Sequence, residues 1–379
     1  MASILTTIGH GFLFIISTVI FWLIFPFVYV LAIPLYLYRI LVKYLARVLH
    51  PEWIGIMNLR DVFVSERMEG KKGLSSVVTM ATIQRGDPDM DFIRKCFMEK
   101  VMLQPCKKSG SEEELLPYTK FTYYYDYWCG FPFWKEEENF SLESHIRVWE
   151  ETGETETTEE DFVAKMGPLT TRPFAKGMSP WEMLIIPNYI ASVTPPDPQF
   201  IEDFVGNNNN NNNDEKSEKR FVIIFRFHHT LCDGFSMAKL FVQNFGGQPE
   251  ENTPRAARKK PSVFTLMRYA VQTLLQLGYC HLKILVWDYD FNKWHIPTKE
   301  LTGDWHTVMT EPLPFNLARE VSKRTGTATT TVLFGAIAGG LRRYWKSMGK
   351  TDKEIPKLMR ALFPLPVSKH PLDGLVNHW

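Results

Sequence analysis

The sequence predicts an α/β protein, an α+β sandwich in two lobes that follows an N-terminal membrane helix. The chain has 379 residues, 45% of them hydrophobic, and a single core rarely grows beyond about 250–300 residues. Residues 11–38 carry no charge. Two β-branched runs, at residues 75–84 and 221–227, each precede a helical pattern. We therefore predict an anchor over residues 1–50, a first lobe over 51–250, a crossover over 251–300 and a partial second lobe over 301–379.

The uncharged segment is long enough to enter a membrane. Its 28 residues exceed the roughly 20 that cross a bilayer, and it lacks the basic start and cleavage site of a signal peptide. Arg39, Lys43 and Arg47 follow it, whereas residues 1–10 hold no Lys or Arg, so the positive-inside rule places the rest of the chain in the cytosol. Pro26 and Pro34 leave two interpretations open, one kinked span or a re-entrant hairpin.

The charge balance and the cysteines exclude several classes of partner. Lys plus Arg number 43 and Asp plus Glu number 42, so the basic surface that nucleic-acid binding requires is missing and we expect no nucleic-acid partner. The five cysteines are odd in number and never in C-x-x-C spacing. This pattern argues against a disulfide framework and a zinc site, and it favours a reducing compartment.

The first lobe opens with a predicted strand at Ser75–Gln84 and a helix near Met90–Met102. The aromatic segment Phe121–Ile146 is expected in the core, or else in the wall of an apolar cavity. The asparagine run Asn207–Asn213 has a composition that cannot pack, so we predict a surface loop.

In the crossover, the basic run Arg255–Lys260 precedes the amphipathic stretch Phe264–Trp287. Two interpretations of this stretch stay open. It is either a solvated linker face or a contact with a membrane surface.

The segment Phe221–His229 is the first part of the chain that indicates chemistry. In a strand, successive side chains point to opposite faces. His229 ends a row whose other members are all apolar, so we predict that it projects into the interior while His228 points the other way. Burial keeps an imidazole neutral, and a neutral, oriented imidazole is what a general base requires. Opposed histidines do not converge with Asp233 on one ion, so we predict no metal site.

The residues after the histidines predict a turn into a helix. Asp233 is a good N-cap, and apolar residues repeat behind it at helical spacing. Gly234 has no Cβ and would let a ligand or another backbone approach closely.

The second lobe begins with two predicted helices. Gly326 fits the C-cap of the first helix, and Thr329–Thr331 fit the N-cap of the second. Gly335, Gly339 and Gly340 in the second helix predict close packing. No closing strand or helix follows before Trp379, so the second lobe is expected to be incomplete.

The pattern H-H-x-x-x-D-G, formed by His228, His229, Asp233 and Gly234, resembles the motif of the coenzyme A-dependent acyltransferase superfamily. Three further segments, GMSPWEMLIIPNY, GTATTTVLFGAIAGGLRRYW and PLPVSKHPLDGLVNHW, resemble the wax ester synthase/diacylglycerol acyltransferase family in its eukaryotic membrane-anchored form. The resemblance covers about residues 50–379. Two features depart from the family pattern: threonines replace the usual Asn-Asp before the second-lobe helix, and the stretch after N-H-W is absent.

The resemblance implies a two-lobed acyltransferase fold with a tunnel between the lobes, at the membrane of the endoplasmic reticulum. It implies that His229 is the catalytic base, that His228 is secondary and that Asp233 orders the loop. Acyl-CoA would be a co-substrate, a fatty alcohol or diacylglycerol the acceptor, and no metal or other cofactor would be needed. Thr329 and Thr330 are candidates for binding the substrate and its oxyanion.

Two alternatives remain open from the sequence. His228 and Asp233 also fit H-x-x-x-x-D, the pattern of glycerolipid acyltransferases, although no F-P-E-G-type block follows. A membrane-anchored lipid-binding or regulatory protein that has lost catalysis would keep the motif without the missing part of the second lobe.

Overall fold

A computed structural model describes most of the chain. The described residues are 2–66, 76–103, 106–107, 114–115, 118–150, 156–190, 219–244, 262–282, 300, 302, 304–309, 315–356, 359 and 374–377. They form a mixed fold of helices and sheets, as predicted. The asparagine run at 207–213, the basic run at 255–260 and the predicted lobe boundaries at 250 and 300–301 lie wholly or partly outside the described residues. The two-lobed division therefore stays a prediction.

The N-terminal segment is a single helix, α1 (Ala2–Leu49), which continues through Pro26 and Pro34. The hairpin interpretation is therefore wrong for this segment. Within the described residues, α1 is the one helix long and apolar enough to cross a membrane, and only 6% of its most apolar window is buried in the protein. That exposure distinguishes it from the buried core helix of a soluble protein.

The predicted first lobe contains a four-stranded sheet, with the strands in the order β2 (Val77–Arg85), β11 (Arg220–His228), β9 (Trp181–Ile186) and β7 (Ile146–Val148). The central strand β11 is antiparallel to both β2 and β9. The short strand β7 runs parallel to β9. The predicted strand at residues 75–84 is thus confirmed, with its start moved by two residues.

Each face of this sheet has its own core, because alternate residues of β11 point to opposite sides. Phe225 and Phe227 join one core with α3 (Met90–Phe97), whereas Val222 and Ile224 join another with α5 (Glu159–Thr171). A π-helical turn at Met98–Met102 extends α3, so the predicted helix near Met90–Met102 is confirmed.

The aromatic segment forms an antiparallel hairpin, β5 (Tyr123–Trp128) and β6 (Phe131–Glu136), with β1 (Gly55–Ile56) on its edge. Phe121, Phe133 and Trp134 are buried, which favours the interpretation of this segment as core. The C-terminal end of α1 packs on the hairpin through Val42 and Ala46.

The remaining elements that the structure describes are short strands, together with helices of 4 to 20 residues. They are α2 (Leu59–Glu66), β3 (Cys106–Lys107), β4 (Glu114–Leu115), α4 (Leu142–His145), β8 (Thr157–Thr158), β10 (Tyr189–Ile190), α6 (Gly234–Asn244), α7 (Val263–Leu282), α8 (Phe315–Thr325) and α9 (Thr329–Ser347).

Helices α8 and α9 correspond to the two predicted second-lobe helices. Gly326 follows α8 with a φ of 66°, which fits its predicted role as a C-cap. The N-cap of α9 is Ala328, without a side-chain hydrogen bond, so the predicted threonine cap is wrong. A Cβ built on Gly335, Gly339 or Gly340 meets no described atom within 4 Å. Within the described part of the chain, the predicted close packing around these glycines is therefore absent.

Candidate active site

The two histidines lie where β11 ends, between its two neighbouring strands. His228 is the last residue of β11 and pairs with Val77 of β2. Its backbone N–H donates to the carbonyl of Pro180, and that of His229 donates to the carbonyl of Ser76, each at 2.8 Å. Backbone hydrogen bonds on both sides thus fix the positions of the two imidazoles.

The ring of His229 is oriented by Asn377. The Asn377 side-chain nitrogen donates to Asp61 Oδ1 and to the carbonyl oxygen of His229, both at 2.8 Å. The other end of the amide is therefore its oxygen, which lies 3.1 Å from His229 Nδ1. An amide oxygen only accepts, so Nδ1 carries a proton, and in the neutral ring Nε2 holds the lone pair. No hydrogen bond to Nε2 occurs among the described residues.

Behind Asn377 lies a buried ion pair that the sequence analysis missed. The carboxylate of Asp61 is fully buried, and its Oδ2 accepts from Lys120 Nζ at 2.9 Å and from Asn58 Nδ2 at 2.7 Å. Lys120 also donates to the carbonyl of Leu231 in the loop after the histidines, at 3.1 Å. A buried carboxylate is stable only when it is paired and hydrogen-bonded, and these contacts supply both conditions.

His228 is the more buried of the two histidines, which corrects the prediction that His229 projects into the interior. His228 is 6% exposed, whereas His229 is half-buried. The backbone N–H of Thr230 donates to His228 Nδ1 at 3.3 Å, and the Thr230 hydroxyl lies 2.9 Å from the same atom. The alternation of side chains along a strand did not predict the orientation of His229 correctly. His229 lies beyond the last paired residue of β11, where the period of two no longer applies.

The protonation state of His228 follows from this burial. Burial, and next the proximity of His229, lower the pKa of His228 to about 4. His228 is therefore neutral at pH 7, and its Nδ1 lone pair is already used inside the loop.

Asp233 has the predicted role of helix cap. Its Oδ1 accepts from the backbone N–H of Ser236 at 2.8 Å, in the first turn of α6. The backbone N–H of Asp233 and the hydroxyl of Ser236 both donate to the carbonyl of Val376, each at 3.0 Å. Asp233 thus orders the turn and joins it to the segment that carries Asn377. Gly234 is exposed at the start of α6 with no described atom near an added Cβ.

Thr329 and Thr330 are both in the first turn of α9, where Thr329 is half-buried and Thr330 is exposed. Neither forms a hydrogen bond with His228 or His229 in the described part of the chain. Their role in oxyanion binding stays a prediction. No group of three or more His, Cys, Asp or Glu in the described ranges could hold a metal ion.

A second ion-pair cluster stabilises the strand that carries the histidines. Arg226 of β11 is buried and lies opposite Glu182 of β9, with which it forms an ion pair. Arg147 and Arg172 also contact this carboxylate, at 2.5 and 2.8 Å. Burial raises the pKa of Glu182, but the three arginines outweigh it and hold the pKa at about 2.

Comparisons with known proteins leave the family open. No protein-family model matches the chain, and no curated protein sequence matches it. The similar solved structures include the wax ester synthase/diacylglycerol acyltransferase from Marinobacter aquaeolei VT8, with 14% identity over 59% of this chain and 46% of that one and a TM-score of 0.30.

Two further structures cover more of the chain. The first condensation domain of the CDA synthetase has 12% identity over 76% of this chain and 61% of that one, with a TM-score of 0.39. SgcC5 from Streptomyces globisporus has 11% identity over 76% and 58%, with a TM-score of 0.31. The chain spans less than half the length of the wax ester synthase. At these scores the likenesses support no step of the functional argument, which depends on the geometry of the site.

Proposed function

We propose that the protein is a membrane-anchored O-acyltransferase. It transfers a long-chain acyl group from acyl-CoA to a lipid alcohol, either a fatty alcohol or diacylglycerol, and forms a neutral ester. Acyl-CoA acts as co-substrate, and the chemistry needs no metal or other cofactor. The proposed location is the membrane of the endoplasmic reticulum, with the folded domain in the cytosol.

One observation carries this proposal: the Asn377 amide fixes the proton of His229 on Nδ1. The neutral ring therefore presents Nε2 as the accepting nitrogen, and the side chain is only half-buried. A general base needs an accepting nitrogen, a fixed orientation and access to the proton it removes. His228 lacks a free accepting nitrogen and access to solvent, because it is buried and its Nδ1 already accepts from Thr230.

In the proposed reaction, His229 Nε2 removes the hydroxyl proton of the alcohol as its oxygen attacks the thioester carbonyl. A C–O bond forms and the carbonyl oxygen becomes an oxyanion. The tetrahedral intermediate then collapses, the C–S bond breaks, and the coenzyme A sulfur leaves and takes the proton from the imidazolium. Asn377 accepts from Nδ1–H throughout, so the ring keeps its orientation while it carries the extra proton. Asp233 keeps the loop in place.

The location of the site supports lipid substrates. The C-terminal end of α1 packs on the same lobe that holds the histidines, through Val42 and Ala46. An anchor of this kind would keep the site close to the bilayer, where fatty alcohols and diacylglycerols concentrate. This placement supports the proposal that the acceptor is a lipid alcohol.

The test compares His229→Ala with His228→Ala in membranes given labelled acyl-CoA and a panel of alcohols, with neutral lipids as the readout. We expect His229→Ala to lower the rate by about 10²–10⁴-fold, the usual contribution of general-base catalysis, while acyl-CoA still binds. His228→Ala serves as the matched control and should retain much more activity. Full activity in a well-folded His229→Ala protein would contradict the mechanism.

The same experiment separates the two alternatives. A glycerolipid acyltransferase of the H-x-x-x-x-D type would make His228 the sensitive residue and would require a phosphorylated glycerol acceptor. A lipid-binding or regulatory protein would form no ester with any alcohol of the panel.

A further inference from the structure

Helix α7 packs closely against the apolar segment of α1. A Cβ added to Gly278 of α7 would lie 2.9 Å from the Cα of Thr18, so only glycine fits at this crossing. The Thr18 hydroxyl donates to the carbonyl of Leu275 at 2.7 Å, and the Trp22 indole donates to the carbonyl of Leu274 at 3.0 Å. The contact therefore lies within the uncharged stretch of residues 11–38.

The side chains of α7 separate into a polar stripe and an apolar arc. Arg268, Gln272 and Gln276 follow each other at intervals of four residues, so they lie on one side of the helix. Apolar residues occupy much of the remaining circumference, and α1 leaves several of them open. Those with 51–74% of their surface exposed include Val263, Leu266, Met267 and Leu274.

The surroundings of α7 identify the bilayer as the partner of this arc. Its exposed apolar residues continue the exposed apolar surface of α1, which itself requires lipid. The two helices form an open groove of about 490 Å³, lined by Phe14 of α1, by Phe264 and Val271 of α7 and by all three residues of the polar stripe. Among the described helices only α1 is long and apolar enough to span a membrane. The apolar arc of α7 is the kind of face by which an amphipathic helix contacts acyl chains.

We infer that α7 is a second membrane-embedded element: it lies against the apolar segment of α1, with its apolar arc on the acyl chains and its polar stripe toward the groove beside α1. This inference rests on the proposed membrane anchor. It follows the membrane-contact interpretation of the amphipathic stretch, of which the structure describes residues 264–282.

The test uses the full chain with its native cysteines replaced by alanine and one new cysteine labelled with an environment-sensitive fluorophore. The positions are Leu266→Cys on the apolar arc, Gln272→Cys on the polar stripe, Val30→Cys on α1 and Glu160→Cys on α5 as an exposed control. Each protein is reconstituted into phosphatidylcholine vesicles, with and without lipids brominated in their acyl chains. We expect a blue shift and quenching at positions 266 and 30, weaker quenching at 272 and none at 160.

Three other patterns of quenching would each contradict a different claim. If position 30 is quenched while 266 behaves like 160, the anchor stands and the inference on α7 fails. If 266 and 272 are quenched equally, the polar stripe is as close to the acyl chains as the apolar arc, and the proposed orientation of α7 is wrong. If neither 30 nor 266 is quenched, the membrane anchor itself is wrong.

Discussion

Two adjacent residues of the same type have different chemistry here because their surroundings differ. His228 is buried with its Nδ1 occupied by Thr230, whereas His229 is half-buried and receives its orientation from Asn377. The Asn377 amide has a unique orientation because its nitrogen lies between two acceptors, Asp61 Oδ1 and the His229 carbonyl. The tautomer of His229 therefore depends on a residue 148 positions away in the chain.

The first residue-scale prediction concerns this amide. Asn377→Ala removes the acceptor that orients Nδ1–H and that stays bonded when the imidazole becomes charged. A hydrogen bond to a charged group is worth about 1.5–3 kcal/mol, which corresponds to roughly a 10- to 150-fold loss in kcat. The KM for acyl-CoA should change little, because Asn377 acts through His229 rather than on the substrate.

The measurement is steady-state kinetics with Ser141→Ala as the control, since that change also removes side-chain hydrogen bonds but outside the network. Unfolding of both variants is followed in parallel. An Asn377→Ala protein with the kcat of the parent, or one whose whole loss comes from unfolding, would contradict the orienting role.

The sequence predicted the histidines and the cap, but it could not predict what positions them. The H-H-x-x-x-D-G pattern is local, so His228, His229, Asp233 and Gly234 are found by inspection. The supporting network joins Asn377 to Asp61 across 316 positions, and no local periodicity signals such a contact. The only sequence signal was the family-like segment PLPVSKHPLDGLVNHW, which includes Asn377.

At the scale of elements, strand β11 packs apolar side chains into the core and also carries a buried charged residue, Arg226. Its alternating apolar residues fill two cores, and Arg226 then places a buried guanidinium two residues before His228. Glu182 on β9 neutralises it, with Arg147 and Arg172 at the same carboxylate. This cluster joins three strands, β7, β9 and β11, to the C-terminal end of α5.

The prediction for this cluster is an acid-labile contribution to stability. The pKa of Glu182 is about 2 in the folded protein and about 4.3 in an unfolded chain. A depressed carboxyl pKa stabilises the fold above the unfolded value, and this contribution is lost as the pH falls from about 4.3 toward 2. Glu182→Gln should cost on the order of 2–3 kcal/mol at pH 7 and should flatten the dependence of stability on pH in that window.

Denaturant unfolding in detergent at a series of pH values checks this. Glu160→Gln, on the exposed side of α5, is the control and should follow the parent protein. If the free energy of unfolding falls with the same slope in Glu182→Gln and in the parent protein between pH 4.3 and 2, then Glu182 does not provide this contribution to stability.

The elements themselves were largely predictable where their patterns were long. The strand at 75–84, the helix near 90–102 and the helix after Asp233 were all expected, because each has a period of its own or a capping residue. The start of α9 was mispredicted since three threonines offered caps, whereas the helix begins after Ala328 without one. The ion pair of Arg226 and Glu182 was missed because strand register is not readable from one sequence.

At the scale of the whole molecule, α1 joins the proposed membrane anchor to the part of the chain that carries the histidines. Its apolar window is almost entirely exposed, while its C-terminal turns pack on the aromatic hairpin and Arg39 donates to the carbonyl of Met57 at 2.7 Å. The lobe is therefore held close to the point where α1 leaves the apolar region. This arrangement suits a site whose proposed acceptor is dissolved in the bilayer.

The last prediction is the side of the membrane on which this lobe lies. Arg39, Lys43 and Arg47 follow the uncharged segment, so the positive-inside rule places the lobe in the cytosol. Asn139, in the sequon Asn139-Phe140-Ser141, is an internal reporter, because it is exposed in the turn before α4. We expect no glycan on Asn139 in intact cells.

A matched control makes the absence of this glycan informative. Fusion of a cleaved signal peptide to residues 51–379 would direct the same lobe into the lumen, where an exposed sequon is a substrate for glycosylation. The fusion should gain mass that an endoglycosidase removes, while the parent chain should not change under the same treatment. A glycan on Asn139 of the parent chain would place the lobe in the lumen, away from the cytosolic acyl-CoA that the proposed reaction consumes.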